Sequence, residues 1–114
     1  MTDSLKTSME PYLSAVNGMK AEKIVALDVK KLTSFADVFI ICEGKSNRQV
    51  SAISDHIVRT LKDRGIKPFS VEGAEEGRWV LLDYGDVIIH VFFETVRAFY
   101  DIEGLWADAR RIEL

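Results

Sequence analysis

Several residues in this chain are of types that do chemistry. Gly44-Lys45-Ser46 lies between an apolar run and a helical pattern. Backbone N–H groups at such a junction can hold an anion, with Lys45 and Arg48 adding charge. Asp83 and Asp86 straddle a Tyr84-Gly85 turn, where two carboxylates can approach each other, though nothing else of a divalent-cation site accompanies them. His90, His56 and Cys42 complete the inventory. Each has a plainer reading. A phosphate-binding loop needs a longer glycine-bounded stretch than "CEGKSN", and capping alone accounts for Ser46. Neither histidine has a second ligand at metal-binding spacing. Cys42 sits inside "VFIIC", where a thiol acts as a small buried hydrophobe and not as a nucleophile.

The strand–Gly–Ser–helix opening is similar to that of nucleotidyltransferases. Those enzymes carry two carboxylates with one residue between them on the next strand, so that both face one Mg²⁺. No strand here has Asp-x-Asp or Asp-x-Glu. A nucleotide-binding enzyme of nucleotidyltransferase type, using Gly44–Ser46 with Asp83 and Asp86, is the alternative reading. The first reading assigns no catalytic residue, no metal and no cofactor.

The elements that position these residues follow from periodicity. Leu5, Met9, Leu13 and Val16 give a helical stripe, with Pro11 predicting either a kink or a helix beginning near Glu10. Glu22–Val29 reads as a strand. Asp37–Gly44 reads as a central one, apolar on both faces. Ser46–Gly65 is a helix: Ser46 and Gln49 form a capping box, Val50, Ile53, Ile57 and Leu61 form a stripe, and Gly65 stands at the C-cap. Ile66–Gly73 is an edge strand because of Pro68. A hairpin, Arg78–Tyr84 and Asp86–Phe93, and a short helix over Thr95–Tyr100 follow. The expected fold is α/β (α+β), a mixed sheet of about five strands with packed helices. It makes one domain over 1–114, with a variable N-terminal helix in 1–21 and a loose tail at 107–114.

A two-residue loop at Tyr84-Gly85 pairs Asp83 with Asp86, Leu81 with Ile88 and Trp79 with His90, with Phe92 continuing the row. The opposite face, Val80, Leu82, Val87, Ile89, Val91 and Phe93, is uniformly apolar and is expected to carry the helices. The first face mixes large apolar groups, carboxylates and an imidazole. It is open to three readings: cover by the chain's own termini, an active site, or a surface for another protein.

The 114 residues carry a formal charge of −3 and are 47% hydrophobic, which suits one domain and argues against gripping phosphates as the main activity. Asp83, Asp86 and Glu94 can instead complement a basic protein. No apolar run approaches the ~18–20 residues that span a bilayer. The N-terminus has no signal-peptide pattern. The expectation is a cytoplasmic protein, or an organellar one whose import segment has been removed.

Three blocks, "LTSFADVFIICEGKSNRQVSAISDHI", "GRWVLLDYGDVIIHVF" and "RAFYDIEGLWADA", resemble the ribosomal silencing factor, or Iojap, family over roughly Asp28–Ala109. The resemblance implies a nucleotidyltransferase-like core without catalytic carboxylates. It implies no enzymatic activity. It also implies binding to the large ribosomal subunit through its fourteenth protein at the intersubunit face, blocking the small subunit and repressing translation. The positions it points to are Trp79, the turn Asp83–Asp86 with Tyr84, His90, Tyr100 and Trp106. The hairpin face adds Leu81, Phe92 and Glu94. A homodimer and contact with ribosomal RNA through Arg110 and Arg111 stay open. Two positions depart from the family pattern: Val38, where an aromatic is frequent, and Glu43, where a small hydroxyl residue is common. Both bear on local packing or dimer contacts.

Overall fold

The computed structural model describes residues 2–114, with side-chain surroundings from residue 8 onward. In chain order the elements are α1 (Thr2–Asn17), β1 (Glu22–Asp28), β2 (Val38–Gly44), α2 (Asn47–Asp63), β3 (Ser70–Glu72), β4 (Trp79–Asp83), β5 (Val87–Phe93), α3 (Glu94–Tyr100), α4 (Ile102–Leu105) and β6 (Arg110–Ile112). The strands form one mixed sheet in the order β3-β4-β5-β2-β1-β6.

β2 is buried along its whole length, as its unbroken apolar run requires. It lies antiparallel to β1 on one side and parallel to β5 on the other. β3 is the edge strand that Pro68 predicts, shortened to Ser70–Glu72. The other edge is a correction: the sheet has six strands, not five. The segment expected to be a loose tail supplies β6, with Ala26 opposite Ile112 and Leu27 opposite Arg111. Ile112 is buried, and the Arg110 guanidinium binds Asp28 at 3.0 Å. A three-residue strand with one apolar side chain carries too little pattern to be seen in sequence.

Both faces of the sheet are covered. On one, Met9, Ala15 and Val16 of α1 and Val50, Ile53, Ile57 and Leu61 of α2 pack on Ile40, Cys42, Val80, Leu82, Ile89 and Val91. On the other, Val96 of α3 and Ile102 of α4 pack on Leu27, Phe39, Ile41, Ile88 and Phe92. α1 runs unbroken through Pro11, so the start expected near Glu10 is not found. The proline forgoes one backbone bond, while Met9, Ala15 and Val16 around it are fully enclosed. Arg64 of the α2 C-cap ties to Glu10 at 3.0 Å. Leu5, the first residue of the expected stripe, lies outside the residues whose side chains are described.

α2 is closed at both ends. Ser46 Oγ accepts from the Gln49 N–H at 3.0 Å, and Gln49 Oε1 accepts from the Lys45 N–H at 2.6 Å, one residue beyond the partner a capping box predicts. At the far end Gly65 adopts φ +79. There the Gly65 N–H donates to the Lys62 carbonyl and the Ile66 N–H to that of Leu61, a Schellman closure.

Candidate docking face

The β4–β5 hairpin sets the geometry of the candidate site. Its register pairs Trp79 with Phe92, Leu81 with His90 and Asp83 with Ile88. The Tyr84 N–H donates to the Val87 carbonyl at 2.9 Å, so the loop is Gly85-Asp86 and not Tyr84-Gly85. Gly85 takes φ +86, a left-handed turn position that a tyrosine fills at greater cost. The expected pairs are therefore displaced by two residues. A displacement of two keeps side-chain parity, so Trp79, Leu81, Asp83, Ile88, His90 and Phe92 still share one face.

That face is only partly open. Phe92 is fully buried in the cluster that holds Val96 of α3 and Ile102 of α4, and His90 is 5% exposed among the rings of Phe39, Trp79 and Phe92. The cover ends at β4, where Trp79, Leu81 and Asp83 are half-buried. Trp79 stacks on Phe92 at 4.9 Å and meets Tyr100 at 5.1 Å. Tyr100 in turn meets Phe99 edge-on at 5.1 Å. Tyr100 is 47% and Phe99 81% exposed. The result is a continuous aromatic strip, Phe92–Trp79–Tyr100–Phe99, rising from the core to the surface. Trp106 lies further along the cover, edge-on to Phe39 at 5.0 Å and to the exposed Phe35 at 6.2 Å.

The remaining expected residues fall elsewhere. Tyr84 is buried on the opposite face, edge-on to Tyr12 at 5.5 Å, and burial pushes its hydroxyl up to about 12. Parity explains this, because Tyr84 alternates with Asp83 and turns toward α1. Asp86 is exposed at the hairpin tip, and Glu94 is exposed at the start of α3. Asp83 Oδ1 accepts from the Gly85 N–H at 2.8 Å, so this carboxylate shapes the turn. Among the described residues no group of His, Cys, Asp or Glu is arranged to hold a metal ion.

The junction before α2 is likewise given to structure. Asn47 Nδ2 donates to the carbonyls of Glu76 and Gly77, and Ser51 Oγ to that of Ala74. These bonds seat the loop between β3 and β4 on the first turn of α2 and so aim the chain into Trp79. Gly77 takes φ +67, and a Cβ there would stand 2.3 Å from the Asn47 carbonyl oxygen. Cys42 is enclosed in β2, and burial raises its thiol to about 12.

Sequence reasoning missed Arg97, Glu43 and Glu103 as a group. Arg97 is buried, and its Nε and Nη2 fork onto Glu103 at 3.1 and 2.9 Å. Its Nη1 donates to Glu43 at 3.1 Å and to the Lys23 carbonyl at 2.8 Å. Glu43 is thus a partner of Arg97. The signal available was that lone Glu43 within a central apolar strand, which demands a cation.

The family model described as "Ribosomal silencing factor during starvation" matches residues 2–114. The ribosomal silencing factor of Halalkalibacterium halodurans is 45% identical over 102 residues, covering 90% of this chain and 87% of the relative. That of Bacillus subtilis is 40% identical over 109 residues, covering 96% and 92%. The chloroplastic Iojap protein of Zea mays is 38% identical over 88% of this chain, which spans 43% of that longer relative. A crystal structure of a Chromobacterium violaceum protein superposes with a TM-score of 0.85 at 40% identity, covering 90% of this chain and 85% of the other. A match running from residue 2 to residue 114, relatives of like length at 40% identity or more, and a shared fold together place the chain in the ribosomal silencing factor family.

Proposed function

We propose that this protein is a non-enzymatic translational repressor that acts by occlusion. It docks on the large ribosomal subunit through that subunit's fourteenth protein, at the intersubunit face, and its bulk then stands where the small subunit must come. The observation that carries this reading is the aromatic strip on a sheet packed on both faces. Trp79 is held from below by Phe92 and His90 and flanked by exposed Tyr100, which in turn meets exposed Phe99. Such a strip offers a preorganised anchor, and a buried interface tryptophan contributes about 2 kcal/mol or more. Exposed Asp86 and Glu94 complement a basic ribosomal protein and act mainly on the rate of encounter. His90 and Phe92 serve from beneath, as support for Trp79.

The nucleotide-enzyme reading has less to stand on. Ser46 Oγ and Gln49 Oε1 already accept from the Gln49 and Lys45 N–H groups, two of the donors at the start of α2 that a phosphate would use. Occlusion needs no bound cofactor, and among the described residues no helix is long and apolar enough to cross a membrane. We place the action in the cytoplasm, where large subunits are free to be captured. A second copy of the chain meeting at the exposed aromatics would compete with the ribosome for Tyr100 and Phe99. The test is cosedimentation with purified large subunits, expected for the wild-type chain and lost in Trp79→Glu.

A further inference from the structure

α3 has seven residues and only two buried side chains, Val96 and Arg97. One valine gives a short helix little directional hold, so its orientation depends on Arg97. The guanidinium joins four elements: its own helix, β1 through the Lys23 carbonyl, β2 through Glu43 and α4 through Glu103. Each partner is prepared for it. Lys23 stands at φ +50 inside the irregularity between Glu22 and Val25, a left-handed conformation that a lysine adopts only when its surroundings impose it. Asp101 takes φ +45 at the α3–α4 corner, and its carboxylate caps the Gly104 N–H at 3.2 Å, which brings Glu103 back over Arg97. Glu43 supplies a second carboxylate from the middle of the sheet, 8% exposed at its side chain.

Buried ion pairs are poor devices for raising stability, since desolvation offsets most of the attraction, but they fix geometry. Three residues after Arg97, the Tyr100 ring leans on Trp79 at 5.1 Å. We propose that Arg97 is a positioning residue for the docking face, holding α3 and α4 so that Tyr100 stands against Trp79 with Phe99 on its far side. Glu43 completes that clamp from the central strand. The role rests on the docking face described under the proposed function, but its structural half is separable from it.

The experiment uses the full chain and two readouts. The first is the set of NOEs between the Tyr100 and Trp79 rings in the free protein. The second is affinity for purified large subunits. Arg97→Lys keeps the charge but cannot fork onto a carboxylate while reaching two further acceptors. Its NOEs should vanish, and affinity should fall about tenfold as the competent conformer becomes a minor one. In a Tyr100→Ala background the same substitution should change affinity by less than about twofold, because its effect runs through Tyr100. If Arg97→Lys proves unfolded by circular dichroism, Glu43→Gln enters the same cycle, with weakened NOEs expected. Unchanged NOEs, or equal losses in both backgrounds, overturn the proposal. Lost NOEs in a protein that does not bind large subunits at all would keep the positioning role and remove the docking reading.

Discussion

The indole Nε1 of Trp79 donates to Nδ1 of His90 at 3.1 Å. That bond makes Nδ1 the acceptor and leaves the proton of the neutral ring on Nε2, a buried atom with no hydrogen-bond partner among the described residues. The ring lies between Phe39 at 5.1 Å and Phe92 at 6.2 Å. Burial in this aromatic setting lowers its pKa from 6.5 to about 4.

A pH dependence follows, with a definite sign. His90 resists protonation when folded and accepts it readily when unfolded. The stabilisation is complete above the unfolded value of 6.5, is lost as pH falls from there, and levels off below about 4. Between pH 7.5 and 5 the loss is about 2 kcal/mol. Urea unfolding at the two pH values measures it. In His90→Gln, which keeps an acceptor for Trp79 but does not titrate, most of this pH dependence should be gone.

Binding should depend on the strip and not on exposed apolar groups in general. Tyr100→Ala is expected to weaken binding to large subunits roughly tenfold with little change in Tm. Trp79→Ala should weaken it roughly thirtyfold or more and also lower stability, because Phe92 loses its stacking partner. Val71, 42% exposed and opposite Leu82, projects to the other side of the sheet. Val71→Ala should bind like wild type in the same cosedimentation assay.

The Arg97 cluster makes a stability prediction of its own. Arg97→Met strands Glu43 and Glu103 without their shared cation and should cost about 3–5 kcal/mol in denaturant unfolding. Removing one stranded carboxylate as well, in Arg97→Met/Glu43→Ser, should recover a clear part of that loss. A double variant no more stable than the single one would show that Glu43 contributes nothing to the clamp.

Cys42 should be chemically silent. It is fully buried in β2, and its thiol is raised to about 12 by desolvation. A thiol-reactive disulfide reagent at pH 8 should label the folded chain only at the rate of unfolding, and label it at once in denaturant.

Much of this architecture was legible because it rests on long, regular patterns. The apolar run of β2 declared a central strand, and the stripe and caps of α2 declared its ends, including Gly65 at φ +79. The hairpin face survived a wrong register because a two-residue displacement preserves parity. What escaped notice was short or non-local. β6 offers a single buried residue, Ile112. Arg97 meets Glu43 across 54 positions, a separation no local period encodes. The burial of His90 and Phe92 answers to one of the three readings of this face, cover by the chain's own terminal segments, but how far that cover extends depends on where α3 and α4 fold back over the sheet. That same cover decides which part of the face stays available, and it leaves Trp79 at the border.

The most direct test of occlusion is a subunit-joining assay followed by light scattering. Purified large subunits preincubated with the wild-type chain should join small subunits slowly and to a reduced extent, while Trp79→Glu and Tyr100→Ala chains should restore joining in proportion to their lost affinity. Normal joining by large subunits that demonstrably carry the protein would contradict the account.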